Sequence, residues 1–431
     1  MVTLEKIYKL YLETGKISTD SRKIEKGSIF FALKGANFNG NRYAIKAIEN
    51  GADYAIIDEK EFATSDRIVL VEDVLQCLQK LASHHRQQLA IPVLAITGSN
   101  GKTTTKELIA AVLSKKYNLV FTQGNLNNHI GVPLTLLKMN KTTEFGVVEM
   151  GANHPGEIAT LCQIADPDFG IITNIGKAHL EGFGSFEGVI RTKGELFEYI
   201  GKKNGTIFYN IDNPILEKIG KELPNRISYG KSGADLNGEP LHSPPFIHLK
   251  VNFPKGALYL NSKLIGEYNY ENILAAACIG NYFDVNPLMI QEAIKQYTPN
   301  NNRSQLILKN GLRIILDAYN ANPTSMKAAI ESFSSDSVIN AFLILGDMLE
   351  LGEYSAQEHR AVLDMLKEKG FKNVYLVGRE FKNASDGFDY QIFGDVNELC
   401  GFLQKKKIKN GNVLVKGSRG IQLEKVLDFL N

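Results

Sequence analysis

The sequence predicts an α/β protein of three domains: a small N-terminal α/β domain, a central domain on a parallel sheet, and a C-terminal Rossmann-like domain. The 431 residues amount to about three domains of ~150 residues. Short apolar runs alternate with segments of helical periodicity, as in doubly wound sheets. The pattern breaks near residue 90 and again in a polar run near residue 300, so we place the domains at 1–90, 91–301 and 302–431.

The N-terminal domain begins with a strand-like run, SIFFALKG, which ends at Gly35. A helical segment, YAIKAIENGA, then stops at Gly51, and the apolar runs DYAIID and RIVLVED have the length of buried strands. Residues 73–89 carry apolar positions at helical spacing, and Pro92 marks the boundary to the next domain.

The central domain contains four apolar runs, VLAITG, FGVVEMG, FGIITNIG and TIFYNID, each followed by turn residues and a helical pattern. This arrangement predicts a parallel, doubly wound sheet. Residues 226–264 instead alternate polar and apolar positions and contain several Gly and Pro, which predicts a small antiparallel appendix. The segment NYENILAAACIGNYF then returns to helix.

The C-terminal domain repeats the alternation of strands and helices. Its predicted strands are RIILDAY, NAFLILGDM, NVYLVG and NVLVKGS. Its predicted helices are MKAAIESF, SAQEHRAVLDMLKEKG, VNELCGFLQKK and IQLEKVLDFL.

The composition excludes several classes of protein. Lys and Arg (49) nearly balance Asp and Glu (47), whereas proteins that coat nucleic acid usually carry a strong basic excess. The N-terminus resembles no signal or transit peptide, and no stretch approaches the ~20 apolar residues of a membrane span. The cysteines lack CxxC spacing, so we expect free thiols in a cytoplasmic protein. They are Cys77, Cys162, Cys278 and Cys400.

A phosphate-binding loop is the strongest functional signal. After the strand VLAITG comes a Gly-rich turn that leads directly into a helical run, so backbone N–H groups and the helix N-terminus can approach phosphate oxygens. Lys102 would supply charge to the outer phosphates and the Thr103 hydroxyl could bind Mg²⁺. The loop is a shortened variant, because Ile96 replaces the usual first glycine. Its residues are Gly98, Ser99, Asn100, Gly101, Lys102, Thr103 and Thr104.

Two further side chains lie at strand ends in the same domain. Glu149 ends FGVVEMG and His179 follows FGIITNIG, and ligands gather at the carboxyl ends of parallel strands. Together they suit a Mg²⁺–ATP site, although a single Glu or His at a strand end is more often a hydrogen-bonded structural residue, and imidazole is an unusual ligand for Mg²⁺. Lys193, in the helical run RTKGELFEYI, has the pattern of a solvated lysine. These residues predict a Mg²⁺-dependent enzyme that uses ATP, with a central P-loop ATPase domain.

Several ordered motifs resemble the central domain of the Mur ligase family: ITGSNGKTTTKE, NLNNHIGVPLTLL, EMGANHPGEI, TNIGKAHLEGFGS and TKGELF. The N-terminal TDSRKIEKGSIFFALKGANFNG and the C-terminal DAYNANPTSMKAA, LGDMLELGEYS and VLVKGSRG extend the resemblance over essentially the whole chain. Within the family, NNRSQ, AYNANPTSM and GDMLELGE resemble the member that adds D-alanyl-D-alanine to UDP-N-acetylmuramoyl-tripeptide.

The resemblance implies an ATP-dependent amide ligase that performs the last cytoplasmic step of peptidoglycan precursor synthesis. ATP would phosphorylate the terminal carboxylate of the tripeptide, and the amine of D-alanyl-D-alanine would attack the resulting acyl phosphate. The implied partners are these two substrates, with neither nucleic acid nor membrane insertion, and we expect a monomer. The third residue of the tripeptide stays open between diaminopimelate and lysine.

The resemblance also implies roles for individual residues. Lys102 and Thr103 would hold the ATP phosphates and one Mg²⁺, Glu149 and His179 match metal-binding positions, and Lys193 matches a lysine that is carbamylated and assists a second Mg²⁺. For the nucleotide, Asn272 matches a position near the adenine, and Arg303 and Asp317 match positions at the phosphates and ribose. The implied substrate-binding residues are Ser21, Arg22 and the segment Gly35–Gly40 for UDP; Asn125, Asn127 and Asn128 for the muramoyl-peptide; and Tyr319, Asn320, Asn322, Lys416 and Ser418 at the C-terminal face of the cleft.

The chain departs from the family pattern at three positions: Tyr268 stands where members often have histidine, and Asn39 and Asn41 replace an acid and an imidazole. Three alternatives are weighed against the ligase. A family member that adds a diamino acid or lysine is disfavoured, because the only DNP motif, at 212–214, lies in the central domain. Folylpolyglutamate-type enzymes usually lack such an N-terminal domain. A regulatory protein that hydrolyses ATP without ligation would not need the full set of predicted site residues.

Overall fold

The computed structural model describes residues 2–241, 245–299, 302–335 and 340–430. Within these residues the protein contains three large sheets, one in each third of the fold, and a separate two-stranded hairpin. The predicted α/β class is confirmed. The domain boundaries at residues 90 and 301 stay predictions.

The N-terminal sheet has four parallel strands in the order β1-β2-β5-β6, and β3 and β4 form the hairpin. The predicted helix at 73–89 is confirmed, and the Asp73 side chain caps it by accepting a 2.7 Å hydrogen bond from Gln76 N. The strands are β1 Ile17–Ser18, β2 Ile29–Phe31, β3 Lys34–Gly35, β4 Phe38–Asn39, β5 Tyr54–Ile57 and β6 Ile68–Leu70. The helices are α1 Leu4–Thr14, α2 Ala44–Glu49 and α3 Val74–Leu89, with 3₁₀ turns at Gly40–Tyr43 and Lys60–Phe62.

The central sheet has nine strands in the order β15-β14-β13-β12-β11-β10-β7-β9-β8. The strands are β7 Val93–Thr97, β8 Leu119–Phe121, β9 Phe145–Glu149, β10 Phe169–Ile172, β11 Thr206–Asn210, β12 Arg226–Gly230, β13 Leu236–Leu241, β14 Phe246–Phe253 and β15 Gly256–Ile265. The helices are α4 Lys102–Leu113, α5 Gly131–Leu136, α6 Glu157–Ala165, α7 Leu180–Phe183, α8 Phe186–Lys202, α9 Pro214–Gly220, α10 Asn269–Tyr282 and α11 Pro287–Gln296.

The predicted antiparallel appendix over 226–264 is partly wrong. Strand β12 pairs parallel with β11, and β13 pairs parallel with β12, so only the β13–β14 and β14–β15 pairs in this segment are antiparallel. All of these strands continue the central sheet. The polar–apolar alternation arises because one face is covered, partly by α10. Polar–apolar alternation indicates a strand with one buried face and one solvated face. It does not indicate whether the neighbouring strand is parallel or antiparallel.

The C-terminal sheet has six strands in the order β16-β17-β21-β18-β19-β20, parallel except for the β16–β17 pair. The strands are β16 Gln305–Lys309, β17 Leu312–Asp317, β18 Ala341–Gly346, β19 Asn373–Val377, β20 Gln391–Phe393 and β21 Gly411–Lys416. The helices are α12 Pro323–Ser335, α13 Ser355–Glu368, α14 Arg379–Ala384 and α15 Val396–Lys405, with a 3₁₀ turn at Gly352–Tyr354.

The predicted last helix, IQLEKVLDFL, is wrong in type. The segment forms two 3₁₀ stretches, Arg419–Ile421 and Leu423–Asp428, separated by Gln422 in a left-handed conformation (φ 59°). The buried Leu423 and Val426 are three residues apart, a spacing that places side chains on one face of a 3₁₀ helix as well as of an α-helix.

The fold places the predicted site at the carboxyl ends of three adjacent central strands. Strand β7 leads into the phosphate loop, β9 ends at Glu149, and β10 leads towards His179. The four cysteines are buried free thiols, as predicted. Within the described residues, no helix is both long and apolar enough to cross a membrane.

Candidate active site

A cleft of about 1260 Å³ lies where the central strand ends face the C-terminal domain. Most predicted nucleotide and metal residues line it, together with residues of the C-terminal domain. The predicted residues in its wall are Ser99, Asn100, Gly101, Lys102, Thr103, Thr104, Asn125, Asn127, Asn128, Glu149, His179, Asn272, Arg303, Asp317, Tyr319, Asn320 and Lys416. Six predicted residues lie outside the cleft wall: Gly98, Lys193, Asn322, Ser418, Ser21 and Arg22.

The phosphate loop is fixed to the segment that follows β10. Ser99 Oγ donates to Gly176 O (3.0 Å) and accepts from Gly176 N (2.9 Å), while Thr173 Oγ1 donates to Asn100 O (2.6 Å). Gly98 has φ 143°, and a Cβ at this position would overlap Thr173 Oγ1. The turn therefore requires glycine for both its backbone conformation and its close packing.

Lys102 lies over the loop backbone at the start of α4. Its Nζ donates to Gly98 O (2.6 Å) and Ser99 O (3.2 Å). Burial lowers the pKa of Lys102 to about 8, with Glu149 opposing the shift and Arg303 adding to it. An anion that enters the cleft would therefore meet a cation with few other charge partners.

Glu149 is a buried carboxylate beside the loop. Its Oε1 accepts from Thr103 Oγ1 (3.2 Å) and Asn127 Nδ2 (2.9 Å). Its Oε2 is buried and has no hydrogen-bond partner among the described residues, and the nearest cation is Lys106 Nζ at 3.7 Å. Lys106 Nζ is likewise buried without a hydrogen bond in this part of the chain.

The oxygen donors at this point fit a magnesium ion. Mg²⁺ usually binds one or two carboxylates together with phosphate oxygens and water. The described residues contain no cluster of three or more His, Cys, Asp or Glu side chains that could hold a metal alone. The Thr103 hydroxyl and the orphaned oxygen of Glu149 instead provide a partial site that a nucleotide would complete.

His179 meets the C-terminal domain. It precedes α7 with a left-handed backbone (φ 52°), and its Nδ1 contacts the carboxylate of Glu350. The hydrogen bond from His179 lowers the pKa of Glu350. If His179 binds a metal, the ligand is therefore in contact with a residue of the C-terminal domain, Glu350.

Lys193 is not the solvated lysine that its helical pattern indicates. Only 1% of the residue is exposed, its Nζ donates to Ala152 O (3.3 Å), and it lies 5.3 Å from the centre of the Phe183 ring. Burial lowers the pKa of Lys193 well below its usual value, and the charge of Lys102 adds to this effect. The amine is therefore predisposed to the neutral form.

The C-terminal wall of the cleft contains a stacked cation and a buried ion pair. The Arg303 guanidinium lies 3.7 Å from the centre of the Tyr319 ring, and Arg419 approaches the same ring at 5.1 Å. Lys416 Nζ pairs with Asp317 Oδ2 at 2.5 Å and also donates to Asn320 O (3.3 Å). Asp317 thus has a partner within the domain.

Asn272 lies beneath the phosphate loop, where both polar atoms of its amide are used. Its Oδ1 accepts from Thr105 Oγ1 (2.9 Å) and its Nδ2 donates to Asn269 Oδ1 (2.8 Å). A Cβ on Gly101 would lie 2.5 Å from Asn272 Oδ1. The structure thus shows Asn272 joining α10 to α4, and its predicted adenine contact stays a prediction.

Polar contacts of Tyr268 and Asn322 join the C-terminal domain to the rest of the site. Tyr268, which stands where the family often has histidine, shares a 2.7 Å hydrogen bond with Ser304. Asn322 Nδ2 donates to Asn100 Oδ1 in the phosphate loop (2.7 Å). Ser418 is used within its own domain, where its Oγ accepts from Leu349 N (3.0 Å).

The asparagine-rich segment supports the site partly through its own turns. Asn127 contacts Glu149, whereas Asn128 Oδ1 accepts from the N–H groups of Ile130 (3.1 Å) and Gly131 (2.9 Å). Asn125 lies in the cleft wall. Their predicted contacts with a muramoyl-peptide stay predictions.

The predicted UDP residues lie outside the wall of this cleft. The Arg22 side chain is 86% exposed and pairs with Asp20 at 2.9 Å, which lowers the pKa of Asp20 to about 2. Ser21 is buried. The departures Asn39 and Asn41 bond to each other (3.0 Å) and donate to carboxylates, Asn39 Nδ2 to Glu59 Oε2 (2.9 Å) and Asn41 Nδ2 to Asp58 Oδ1 (2.9 Å). These two amides therefore stabilise their own domain.

Sequence reasoning missed three side chains at this site. Lys106 follows Lys102 by four residues, so the helical period alone could have placed it on the same face of α4. Glu350 and Arg419 lie within the motifs LGDMLELGEYS and VLVKGSRG, but nothing in their spacing indicated that they line the cleft.

Comparisons with known proteins cover nearly the whole chain. Family models match residues 14–86 (Mur ligase family, catalytic domain), 96–280 (Mur ligase middle domain) and 302–419 (Mur ligase, glutamate ligase domain). The UDP-N-acetylmuramoyl-tripeptide–D-alanyl-D-alanine ligase of Bacillus subtilis is 34% identical over 425 residues, which cover 96% of this chain and 92% of the relative.

Two solved structures are similar over a comparable length. A crystal structure of MurF from Acinetobacter baumannii superposes with a TM-score of 0.87 and 32% identity, and covers 96% of this chain and 92% of the other. MurF ligase from Thermotoga maritima, solved in complex with ADP, has a TM-score of 0.85 and 30% identity, with 100% and 98% covered.

Proposed function

The chain belongs to the Mur ligase family, and from this premise we propose that it joins D-alanyl-D-alanine to UDP-N-acetylmuramoyl-tripeptide, with conversion of ATP to ADP and phosphate. The observation that carries the proposal is the full-length similarity to ligases of this name, 34% identical over 96% of the chain. The reaction completes the peptide of the cytoplasmic peptidoglycan precursor.

The chemistry follows from the poor reactivity of a carboxylate. The terminal carboxylate oxygen of the tripeptide attacks the γ-phosphorus of ATP, ADP leaves, and an acyl phosphate forms. The amine of D-alanyl-D-alanine then attacks the carbonyl carbon to give a tetrahedral intermediate. This intermediate loses phosphate, the nitrogen loses a proton, and the amide remains.

The residues of the cleft suit the phosphorylation step. Two anions must approach each other, so cations are needed near the transferring phosphoryl group. Lys102 of the central domain and Arg303 of the C-terminal domain both line the cleft and supply these charges, and the backbone N–H groups of Gly101 to Thr103 lie at the N-terminus of α4. The C-terminal wall would keep water from the acyl phosphate.

Thr103 and Glu149 are the residues that would hold one Mg²⁺. The Thr103 hydroxyl contacts Glu149 Oε1 (3.2 Å), Oε2 of the same carboxylate has no hydrogen-bond partner among the described residues, and both side chains are buried. When bound, the ion would neutralise charge on the phosphate oxygens. A second Mg²⁺ would use His179 and Lys193, the latter as a carbamate, since an amine cannot serve as an oxygen ligand.

Carbamylation of Lys193 is supported by its burial and by the lowered pKa of its amine, because only a neutral amine adds to CO₂. We expect protein equilibrated with ¹³C-bicarbonate at pH 8 to show a carbamate resonance that Lys193→Met removes. Lys202→Met, on the exposed end of the same helix, is the control. A wild-type spectrum without this resonance would contradict the modification.

The substrates would extend from the cleft in two directions. We assign UDP to Ser21, Arg22 and the segment at 35–40, adenine to Asn272, and phosphate and ribose to Arg303 and Asp317. The muramoyl-peptide would contact Asn125, Asn127 and Asn128. The residues assigned to the C-terminal face are Tyr319, Asn320, Asn322, Lys416 and Ser418. We also propose that the protein acts in the cytoplasm. We further propose that it is a monomer, and light scattering would test its oligomeric state.

Phosphate release from ATP tests the ligase directly against a regulatory ATPase. With UDP-N-acetylmuramoyl-tripeptide present, release should require D-alanyl-D-alanine. Release at the same rate without the dipeptide would favour simple hydrolysis. Running the assay with tripeptides that end in diaminopimelate or in lysine identifies the preferred third residue through kcat/KM.

A further inference from the structure

Two residues with an uncommon backbone conformation meet at the edge of the cleft. His179 (φ 52°) belongs to the central domain and Glu350 (φ 63°) to the C-terminal domain, and both line the cleft. Left-handed conformations are uncommon for residues other than glycine and cluster at functional sites. Their coincidence in one interdomain contact calls for an explanation beyond packing.

Glu350 contacts the segment around His179 through both its side chain and its backbone. The Glu350 carboxylate contacts His179 Nδ1, and Glu350 O accepts a hydrogen bond from Glu181 N (3.3 Å). Gly352 packs against Glu181, since a Cβ there would lie 3.2 Å from Glu181 Cβ. The loop that carries Glu350 is therefore seated on the first turn of α7.

The choice of ring nitrogen matters for the chemistry of His179. When Nδ1 carries the proton that is donated to Glu350, Nε2 presents its lone pair. A carboxylate on the other nitrogen also fixes the ring and makes it a more basic metal ligand. Glu350 therefore orients His179 for a cation, although the side chain of Glu350 itself is 55% exposed and contributes little to the core.

We propose that Glu350 is a positioning residue for the ligation reaction, which holds the His179 imidazole ready for a divalent cation. This inference rests on the proposed function, in which His179 is a metal ligand. Because Glu350 belongs to the C-terminal domain, docking of that domain and cation binding at His179 favour each other, and the coupling is reciprocal.

The structure offers a matched control for a contact that only holds the domains together. Lys177 lies two residues before His179, and its Nζ pairs with Glu358 Oε1 of the C-terminal domain at 2.6 Å. Lys177→Met removes an interdomain ion pair but leaves the His179–Glu350 contact. If Glu350 served docking alone, the two substitutions would have the same effect.

The test measures binding of Mn²⁺ to the full chain in the presence of ADP. Electron paramagnetic resonance of the free ion gives the amount of Mn²⁺ that is bound. The relevant binding step is the one that His179→Ala removes. Glu350→Ala should weaken this step ~10–100-fold, the effect typical of a lost carboxylate partner. Glu350→Gln should weaken it less, since its amide oxygen still accepts from Nδ1. Lys177→Met loosens docking but keeps the carboxylate beside Nδ1, so it should weaken the step much less than Glu350→Ala does.

Two results would overturn the inference: Glu350→Ala binding Mn²⁺ as tightly as wild type, or Lys177→Met losing affinity to the same extent. Thermal unfolding of each variant confirms that it is folded, and Glu350→Gln replaces Glu350→Ala if the latter is not. Ligation by the wild type is assayed in parallel. It separates the proposed ligase function from the proposed role of Glu350. A wild type that makes no product contradicts the proposed function, whereas an active wild type with an unaffected Glu350→Ala contradicts only the inference.

Discussion

Around the phosphate loop, charge is concentrated in a few side chains while the chain as a whole is almost neutral, at +2. Arg303 acts as a like charge on both Lys102 and Lys106, and the buried carboxylate of Glu149 attracts both lysines. This excess of local positive charge is costly without an anion, since burial lowers the pKa of both lysines. A polyphosphate would supply the missing negative charge, so a whole-protein basic field is unnecessary.

Lys102→Ala tests this account at a single residue. We expect kcat for ligation to fall ~10²–10³-fold, the range observed when one preorganised charge-stabilising group is removed. The control is Lys115→Ala, an exposed lysine just beyond the end of α4, which should keep wild-type activity. Steady-state kinetics of phosphate release measures both, and unchanged turnover by Lys102→Ala would refute the assignment of the loop.

Residue types and spacing predict the phosphate loop, Glu149 and His179, but not the surroundings of each side chain. Lys193 has the pattern of an exposed helical lysine, yet it is buried beneath the loop that contains Ala152. The family resemblance assigns Arg22 to UDP, and in this structure its guanidinium pairs with Asp20. Burial and partner choice depend on tertiary contacts, which a single sequence does not display.

At the scale of secondary-structure elements, the strand–loop–helix unit β7–α4 depends on a glycine. Gly98 adopts φ 143°, where side chains are strained, and its Cα faces Thr173 at the end of β10. The loop can therefore keep its shape only while β7 and β10 remain closely packed.

Gly98→Ala should consequently lower stability by about 1–3 kcal/mol, the cost of a strained backbone, and weaken ADP binding. Gly401→Ala is the matched control, because it lies within α15 with open space around it and should be neutral or slightly stabilising. Thermal unfolding with and without ADP measures both effects. A Gly98→Ala protein with wild-type stability and ADP affinity would show that the loop tolerates a side chain.

Element type follows from sequence periodicity more reliably than element pairing does. The helix at 73–89 and the strands β7, β9 and β10 are where the apolar pattern predicts them. The parallel pairing of β12 and β13 and the 3₁₀ conformation of Leu423–Asp428 are not predicted, because burial periodicity is insensitive to strand direction and to helix pitch over six residues.

For the whole molecule, the decisive feature is that the cleft is shared between domains. Asn322 contacts the phosphate loop, Lys177 pairs with Glu358, and Tyr268 bonds to Ser304, so the C-terminal domain is docked in this structure. These three contacts are polar, and polar contacts are common between domains that move relative to each other.

We expect the C-terminal domain to move towards the central domain when ATP and substrate bind, because ligands from all three domains must meet and water must be excluded. Small-angle scattering of the ligand-free chain should give a larger radius of gyration than scattering with an ATP analogue and the tripeptide. Asn322→Ala and Lys177→Met should enlarge the ligand-free radius further. Identical curves with and without ligands would count against closure.

The central claim is that the terminal carboxylate of the tripeptide is activated by phosphorylation and that its acyl group is then transferred to an amine. The most direct measurement uses UDP-N-acetylmuramoyl-tripeptide labelled with ¹⁸O in its terminal carboxylate, together with ATP and D-alanyl-D-alanine. The account predicts that each phosphate released carries one ¹⁸O atom, since the oxygen that attacks ATP leaves with the phosphate, and that one amide product forms per phosphate. Unlabelled phosphate, or phosphate formed without the amide, would contradict it.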